Sequence, residues 1–150
     1  MKLATALSER SDLQDRINEL AGRLNSNAKV QEGDTPSEDP KELLNELDRD
    51  IERLEELIAR INNTNNNTRK DGVTLTQLLA KRDCLDKKIL VLRGFLDNAS
   101  ARVNRYSKTE IKILSTVSVA ELQKKVDKLS EEFRKTDETI QEINWTTELI

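Results

Sequence analysis

The sequence predicts an all-α protein in which long antiparallel helices form a coiled-coil-like hairpin or bundle. Four separate stretches repeat apolar side chains at alternating steps of three and four residues, and few apolar residues lie outside them. An α-helix turns once in about 3.6 residues, so this step places one narrow seam along each helix. Of the 150 residues, 35% are hydrophobic, 35% are charged and 3% are aromatic. We therefore expect a single elongated domain with a thin core.

The first two helices are predicted over residues 2–27 and 40–68. Between them, Gly33 and both prolines interrupt the helical pattern, and Asp39 with Pro40 is typical of a helix start. The seam of the first helix, which Leu7 widens, comprises Leu3, Ala6, Arg10, Leu13, Ile17, Leu20 and Leu24. The seam of the second comprises Leu44, Leu47, Ile51, Leu54, Ile58, Ile61, Asn65 and Thr68.

The third helix is predicted over residues 74–106, after a tight turn at Asp71 and Gly72. Its seam comprises Leu75, Leu78, Arg82, Leu85, Ile89, Leu92, Leu96, Ala99, Val103 and Tyr106. A short connection makes the second and third helices antiparallel neighbours. When Leu54 faces Ile89, every seam residue of the second helix lies opposite a seam residue of the third. We therefore expect one long helical hairpin.

The fourth helix is predicted over residues 118–143, because Ser118 and Glu121 have the spacing of a helix capping box. Its seam comprises Val119, Leu122, Val126, Leu129, Phe133, Thr136, Ile140 and Ile143. The preceding segment, residues 109–119, is rich in β-branched side chains that alternate along the chain. This pattern predicts either a short β-strand near residues 110–117, paired with residues 29–32, the C-terminal tail or another subunit, or an extended linker.

Composition limits the partners and the cellular location. A net charge of −3 argues against a general affinity for nucleic acid or anionic membranes. No apolar run approaches the ~18 residues of a membrane span, and the N-terminal apolar stretch is short for a secretory signal. We therefore expect a cytoplasmic protein, which agrees with the single cysteine, Cys84. The apolar flank Leu79, Leu90, Val91 and Phe95 on the third helix predicts a homo-oligomer, and an unidentified protein partner stays open.

The candidate site residues are Arg10, Asn65, Thr68 and Arg82, four polar residues on seam positions. If the first helix runs antiparallel to the second, they share one end of the bundle. They are then either a polar layer that sets helix register or a site for a small anion between two guanidinium groups. The chain has no histidine, so a Ser-His-Asp triad, a Cys-His pair and His-based metal sites are excluded. We expect no enzyme activity, no metal and no cofactor.

Three segments carry a family resemblance: NAKVQEGDTPSEDP at 27–40, TLTQLLAKRD at 74–83, and residues 110–150, which include INWTTEL. They resemble a family of small, helical, largely uncharacterised bacterial proteins labelled septicolysin-like, and the likeness covers essentially the whole chain. The label implies a membrane-active cytolysin. The helical seams instead favour a self-associating structural or protein-interaction module, which is the function that we expect, with the cytolysin as the alternative.

Overall fold

The computed structural model describes residues 1–101 and 111–150, which contain four α-helices and one two-stranded sheet. In chain order these are α1 (Leu3–Ser26), α2 (Pro40–Asn67), β1 (Arg69–Lys70), β2 (Val73–Thr74), α3 (Leu75–Ser100) and α4 (Val119–Thr146). The predicted all-α class is confirmed, and the small β element lies at β1 and β2. The first compact unit comprises Met1–Leu75 with Glu142–Ile150, and the second comprises Thr76–Gln141.

In the first unit, α1 and α2 form an antiparallel helical hairpin. Glu9 of α1 pairs with Arg53 of α2 at 2.7 Å, and Arg16, further along α1, pairs with Asp50 at 3.0 Å. Because the partner's number falls as the α1 number rises, the two helices run in opposite directions. Within this unit the hairpin partner of α2 is therefore α1. The predicted register between α2 and α3 concerns both units and stays a prediction.

Helix α1 buries the seam that its sequence predicts, whereas on α2 half of the predicted seam positions are replaced in the core by the preceding residue. The buried seam residues of α1 are Leu3, Ala6, Leu13 and Leu20. On α2, Ile61 is buried as predicted, but Leu44, Ile51 and Ile58 expose 49%, 45% and 39% of their surface. Every second seam position lies one residue earlier than predicted, at Leu43, Asp50, Leu57 and Thr64.

Two polar side chains explain the displaced seam. Asp50 is buried, and its Oδ1 accepts a hydrogen bond from Arg16 at 3.0 Å. The fully buried Thr64 hydroxyl donates to the Arg60 carbonyl oxygen at 2.8 Å and accepts from the Ile150 amide at 3.0 Å. A polar side chain tolerates burial when its groups have hydrogen-bond partners, which holds for the Thr64 hydroxyl. For Asp50 the compensation is partial, because Oδ2 is buried without a hydrogen-bond partner among the described residues. Arg16 and Ile150 lie on other segments, so the α2 sequence alone gives no reason to bury Asp50 rather than Ile51, or Thr64 rather than Asn65.

The two ends of the chain pair with each other in the first unit. The Leu3 amide donates to the Thr147 carbonyl oxygen at 2.9 Å, and the Leu149 amide donates to the Met1 carbonyl oxygen at 2.8 Å. Leu149 is 7% exposed, so the tail adds one apolar side chain to this core.

The observed sheet is a local hairpin between α2 and α3. Its strands pair antiparallel across a turn in which Asp71 and Gly72 both have positive φ, 52° and 81°. Two consecutive residues with positive φ make the type I′ turn that Asp-Gly favours, because its twist matches that of the strands. The predicted turn is therefore present, with two short strands added to it.

The strand predicted near residues 110–117 is wrong for the described part of that segment. Residues 111–117 carry no strand, and residues 102–110 lie outside the described residues. The tail, one of its predicted partners, makes an antiparallel bridge between Glu148 and Lys2 instead. A strand is stable only with a paired neighbour, so β-branched residues alone do not create one. The extended linker is the alternative that the structure supports.

In the second unit, α3 and α4 run antiparallel and bury their predicted seams. Arg82 pairs with Asp137 at 3.0 Å, and Arg93, further along α3, donates to Ser130 at 3.4 Å, earlier on α4. The buried residues of these seams include Ile89, Leu96, Val126, Thr136 and Ile140.

The ends of α3 and α4 differ modestly from the predicted bounds. Helix α3 ends at Ser100, whose hydroxyl donates to the Leu96 carbonyl oxygen at 2.7 Å. The Asn98 amide likewise donates to the Gly94 carbonyl oxygen at 2.9 Å. Such side-chain bonds to the backbone compete with further helical bonds. The predicted residues 102–106 lie outside the described residues. At the start of α4, the Ser118 hydroxyl accepts from the Glu121 amide at 3.3 Å, as its capping pattern predicts.

The Glu9–Arg53 pair makes the stability of the first unit depend on pH. The hydrogen bond from Arg53 lowers the pKa of Glu9 below its ordinary value of 4.5. A carboxylate with a lowered folded-state pKa adds stability above its unfolded pKa and loses it as pH falls through the folded-state value. Glu9→Gln should therefore cost up to about 1 kcal/mol at neutral pH, and the difference from wild type should vanish in acid.

The measurement is urea unfolding of the wild type and of Glu9→Gln from neutral to acidic pH. Glu52→Gln is the control, because Glu52 is exposed on α2. A difference between wild type and Glu9→Gln that stays constant with pH would contradict the role of this carboxylate.

Candidate functional site

The four predicted site residues divide between the two units. Arg10 is half-buried on α1, and its Nε is buried without a hydrogen-bond partner among the described residues. Asn65 is half-buried near the end of α2. Thr68 follows α2 directly, and its carbonyl oxygen accepts from the Leu75 amide at 2.9 Å. These three belong to the first unit, and Arg82 belongs to the second.

Arg82 is held by carboxylates of its own unit. Its guanidinium donates to Asp137 at 3.0 Å and to the neighbouring Asp83 at 3.4 Å. Both contacts use donors that an anion site would need to leave free for the ligand. They are the kind of pairing that a structural polar layer requires. The anion site itself stays a prediction.

A polar network that the sequence analysis did not single out fastens the loop between α1 and α2. The Arg23 guanidinium donates to both carboxylate oxygens of Glu38, at 2.6 Å and 3.1 Å, and this hydrogen bonding lowers the pKa of Glu38. The buried Asn27 side chain accepts from the Glu38 amide at 3.0 Å and donates to the Arg23 carbonyl oxygen at 2.8 Å. An arginine in the last turn of a helix, followed by an acidic loop, is the sequence signal for this network.

The network lines an open depression of about 580 Å³, formed by Glu19, Gly22, Arg23, Ser26, Asn27, Ser37 and Glu38. The charges of Arg23 and Glu38 neutralise each other, so the network explains loop attachment rather than ligand binding. Among the described residues, no group of three or more metal-binding side chains is close enough to hold an ion.

The displaced seam leaves an apolar groove on α2. The groove has a volume of about 360 Å³ and is lined by Ile51, Leu54, Glu55, Ile58 and Ala59. Ile51 and Ile58 lie on the predicted seam and would be core residues there. They line the groove instead because α2 buries the preceding residues, Asp50 and Leu57.

The most exposed aliphatic side chains on a described helix lie on α3, and the 66% exposed Trp145 lies on α4. Leu90 and Val91 expose 72% and 70% of their surface, and Phe95 exposes 45%. Gly94 lies between them, and apart from its chain neighbours and the backbone of its own helix no described atom approaches within 4 Å of the position that a Cβ would occupy there. We call Leu90, Val91, Gly94 and Phe95 the α3 face. The fourth predicted member of this flank, Leu79, is half-buried instead.

The linker before α4 exposes a second apolar set in the same unit. Ile111, Ile113 and Leu114 expose 79%, 70% and 76% of their surface. They lie on an extended segment rather than on a helix, so they do not form a helical face.

No helix among the described residues is both long and apolar enough to cross a bilayer. A family of unknown function, DUF6847, matches residues 10–149. The chain belongs to this family. It is also similar to a solved structure described as a functionally unknown conserved protein from Corynebacterium diphtheriae, with 43% identity and a TM-score of 0.90. That similarity covers 100% of this chain and 99% of the corynebacterial one. No curated protein matches.

Neither DUF6847 nor the corynebacterial protein has an assigned function. The resemblance to septicolysin-like proteins therefore stays a prediction. The surface of this DUF6847 member is the remaining indication of its function. On that surface the α3 face carries the two most exposed apolar residues of any described helix, Leu90 and Val91.

Proposed function

We propose that this chain is a helical protein-interaction module, without enzymatic activity, that self-associates through the α3 face. The observation that carries the proposal is the exposure of Leu90, Val91 and Phe95 on one side of a single helix. Scattered exposed apolar residues are ordinary, but a contiguous set marks an interaction surface. The two flanking turns of α3 present charged side chains, which is the usual arrangement of an apolar centre with a polar rim.

The energetics favour association of modest strength. Full burial of a Leu, Val or Phe side chain contributes about 1.5–3 kcal/mol, and a two-fold interface would bury each of the three residues twice. Association itself costs at least several kcal/mol in lost rigid-body freedom. Gly94 carries no side chain, so a second backbone can approach there closely. Glycine inside a helix costs about 1 kcal/mol relative to alanine, and this close approach would explain its presence.

The proposal predicts a concentration-dependent dimer that one surface charge abolishes. Sedimentation velocity of the wild type should show dimer at micromolar concentration and monomer on dilution. Val91→Asp should remain monomeric over the same range, because burying an unpaired charge at an interface is unfavourable. Its helical content should not change, since Val91 is 70% exposed.

Ile113→Asp is the matched control, because Ile113 is also 70% exposed but lies on the linker. It should associate like the wild type. A wild type that stays monomeric, or equal behaviour of the two variants, would overturn the proposal.

A further inference from the structure

We infer that the α3 face docks in the apolar groove on α2 of a second copy. The groove is lined by α2 alone, through Ile51, Leu54, Glu55, Ile58 and Ala59. This inference rests on the proposed self-association and adds the surface that receives the α3 face. It is carried by the opposite charges that border the two apolar surfaces.

The two apolar surfaces match in length. The groove extends over residues 51–59 of α2, and the α3 face with the two lysines next to it extends over residues 87–95. Each range spans about 12 Å along its helix axis. Phe95 is the largest side chain of the α3 face, and aromatic residues commonly anchor an interface by filling a pocket of the partner. Ala59 and Gly94 are small, so they permit the two helices to approach closely.

One edge of the groove is acidic. Asp48, Glu52 and Glu55 are exposed and follow one another at steps of four and three residues, so they form a row along α2. Glu55 itself lines the groove. None of the three forms a salt bridge or a side-chain hydrogen bond with a described residue, whereas Glu56 on another side of α2 is held by Arg53 at 2.7 Å. The row therefore leaves its carboxylates free for a partner.

The bases of α2 do not neutralise this edge. Helix α2 carries seven acidic and four basic residues. The bases lie in the first turn or on the side of the helix away from the groove, at Lys41, Arg49, Arg53 and Arg60. Arg53 is bound to Glu9 and Glu56, and Arg60 donates to the Ile150 carbonyl oxygen at 3.1 Å. The groove side of α2 is therefore acidic.

The surroundings of the α3 face are basic. Helix α3 carries five basic and three acidic residues, and Lys87 and Lys88 lie one turn before Val91. Around the helix the two lysines lie within about 60° of Val91, whereas the three acids lie about 80–140° away. Both lysines are exposed, and neither forms a salt bridge with a described residue. Lys88 has a weaker electrostatic interaction with Glu132, whose ion pair is with Lys81 at 2.9 Å.

Charge therefore favours the groove over a second α3 face as the docking surface. Face against groove brings lysines beside carboxylates, and complementary charge across an interface steers association and rejects wrong partners. The α3 face itself contains no carboxylate, so face against face leaves the lysines without a partner there. Used reciprocally, the contact between face and groove occurs twice in a dimer.

Mixing two variants tests this contact, because its two surfaces lie on different helices. Val91→Asp alters the face and leaves the groove intact, and Ile51→Asp alters the groove and leaves the face intact. Each variant alone should sediment as a monomer at a concentration where the wild type is dimeric. An equimolar mixture should form a heterodimer, since the intact face of one variant binds the intact groove of the other.

Ile113→Asp is the matched control for the groove variant, because it makes the same substitution at an exposed residue outside the groove. It should dimerise like the wild type. Ile51→Asp and Val91→Asp should both keep the wild-type helical content by circular dichroism, since Ile51 and Val91 are exposed. Dimerisation of Ile51→Asp on its own would show that the α3 face docks elsewhere and would overturn the inference.

Charge reversal gives a second readout that leaves the apolar residues unchanged. Lys87→Glu with Lys88→Glu reverses the charge beside the face, and Glu52→Lys with Glu55→Lys reverses the edge of the groove. Each double variant alone should raise the dimer dissociation constant by about tenfold or more, because like charges then meet. A mixture of the two restores opposite charges in both contacts and should associate with a constant near the wild-type value. Equal constants for the wild type and the groove reversal would overturn the inference.

The two proposals fail in different ways. A monomeric wild type in sedimentation defeats self-association, and the docking in the groove with it. A dimeric wild type that tolerates both Ile51→Asp and the groove reversal leaves self-association through the α3 face standing and defeats the groove as its partner surface.

Discussion

Ile89→Asp is expected to unfold the second unit. Ile89 is 5% exposed and lies on the buried seam of α3. An uncompensated buried charge costs about 3–5 kcal/mol, which is a large part of the ~5–15 kcal/mol that stabilises a typical domain. Far-ultraviolet circular dichroism during urea unfolding should show a large loss of helical signal or a strongly lowered midpoint.

The adjacent substitution Leu90→Asp is the matched control. Leu90 is 72% exposed, so its monomer should unfold within about 0.5 kcal/mol of the wild type. The two variants place the same charge on consecutive residues, and only the direction of the side chain differs. Equal destabilisation of the two would contradict the orientation of α3.

Leu57→Ala is expected to have the next largest effect, through the core of the first unit. Leu57 on α2 is fully buried, and removing a buried leucine side chain costs about 2–5 kcal/mol in unfolding free energy. Ile58→Ala should cost about 1 kcal/mol or less, because Ile58 already exposes 39% of its surface. Urea unfolding of both variants measures the difference.

This pair distinguishes the observed seam of α2 from the predicted one. The predicted seam contains Ile58 and not Leu57, whereas the structure buries Leu57. A larger loss of stability for Ile58→Ala than for Leu57→Ala would support the predicted seam and contradict the structure of the α1–α2 hairpin.

The seams of α1 and α4 could be predicted because each has one dominant apolar stripe, and on α3 the longer of two apolar sets is the one that is buried. Leu13 on α1, Ile89 on α3 and Ile140 on α4 all lie on predicted seams and are buried. In α2, adjacent apolar residues such as Leu57 and Ile58 support two stripes one residue apart. Which stripe becomes core depends on the helix that packs against it, so the α2 sequence could not decide between them.

The candidate site was predictable only as a set of unusual residues. A charge on an apolar seam identifies Arg10 and Arg82, but not their surroundings. The carboxylate of Asp137 holds Arg82 from another helix, 55 residues later in the chain. The contact between Arg23 and Glu38 was equally hidden, because surface-charged residues are common in this sequence and their pairing is set by the path of the loop.

What the sequence by itself determined is the local structure: four helices, their starts at Asp39 and Ser118, the Asp71–Gly72 turn and the apolar flank of α3. These follow from side-chain spacing, capping and backbone preferences, which act over a few residues. Tertiary structure alone decided that α2 buries Leu57 rather than Ile58 and that residues 111–117 stay unpaired. Which of two adjacent stripes is buried, and whether a segment pairs as a strand, depend on groups distant in the chain, so the local pattern of these two segments did not specify them.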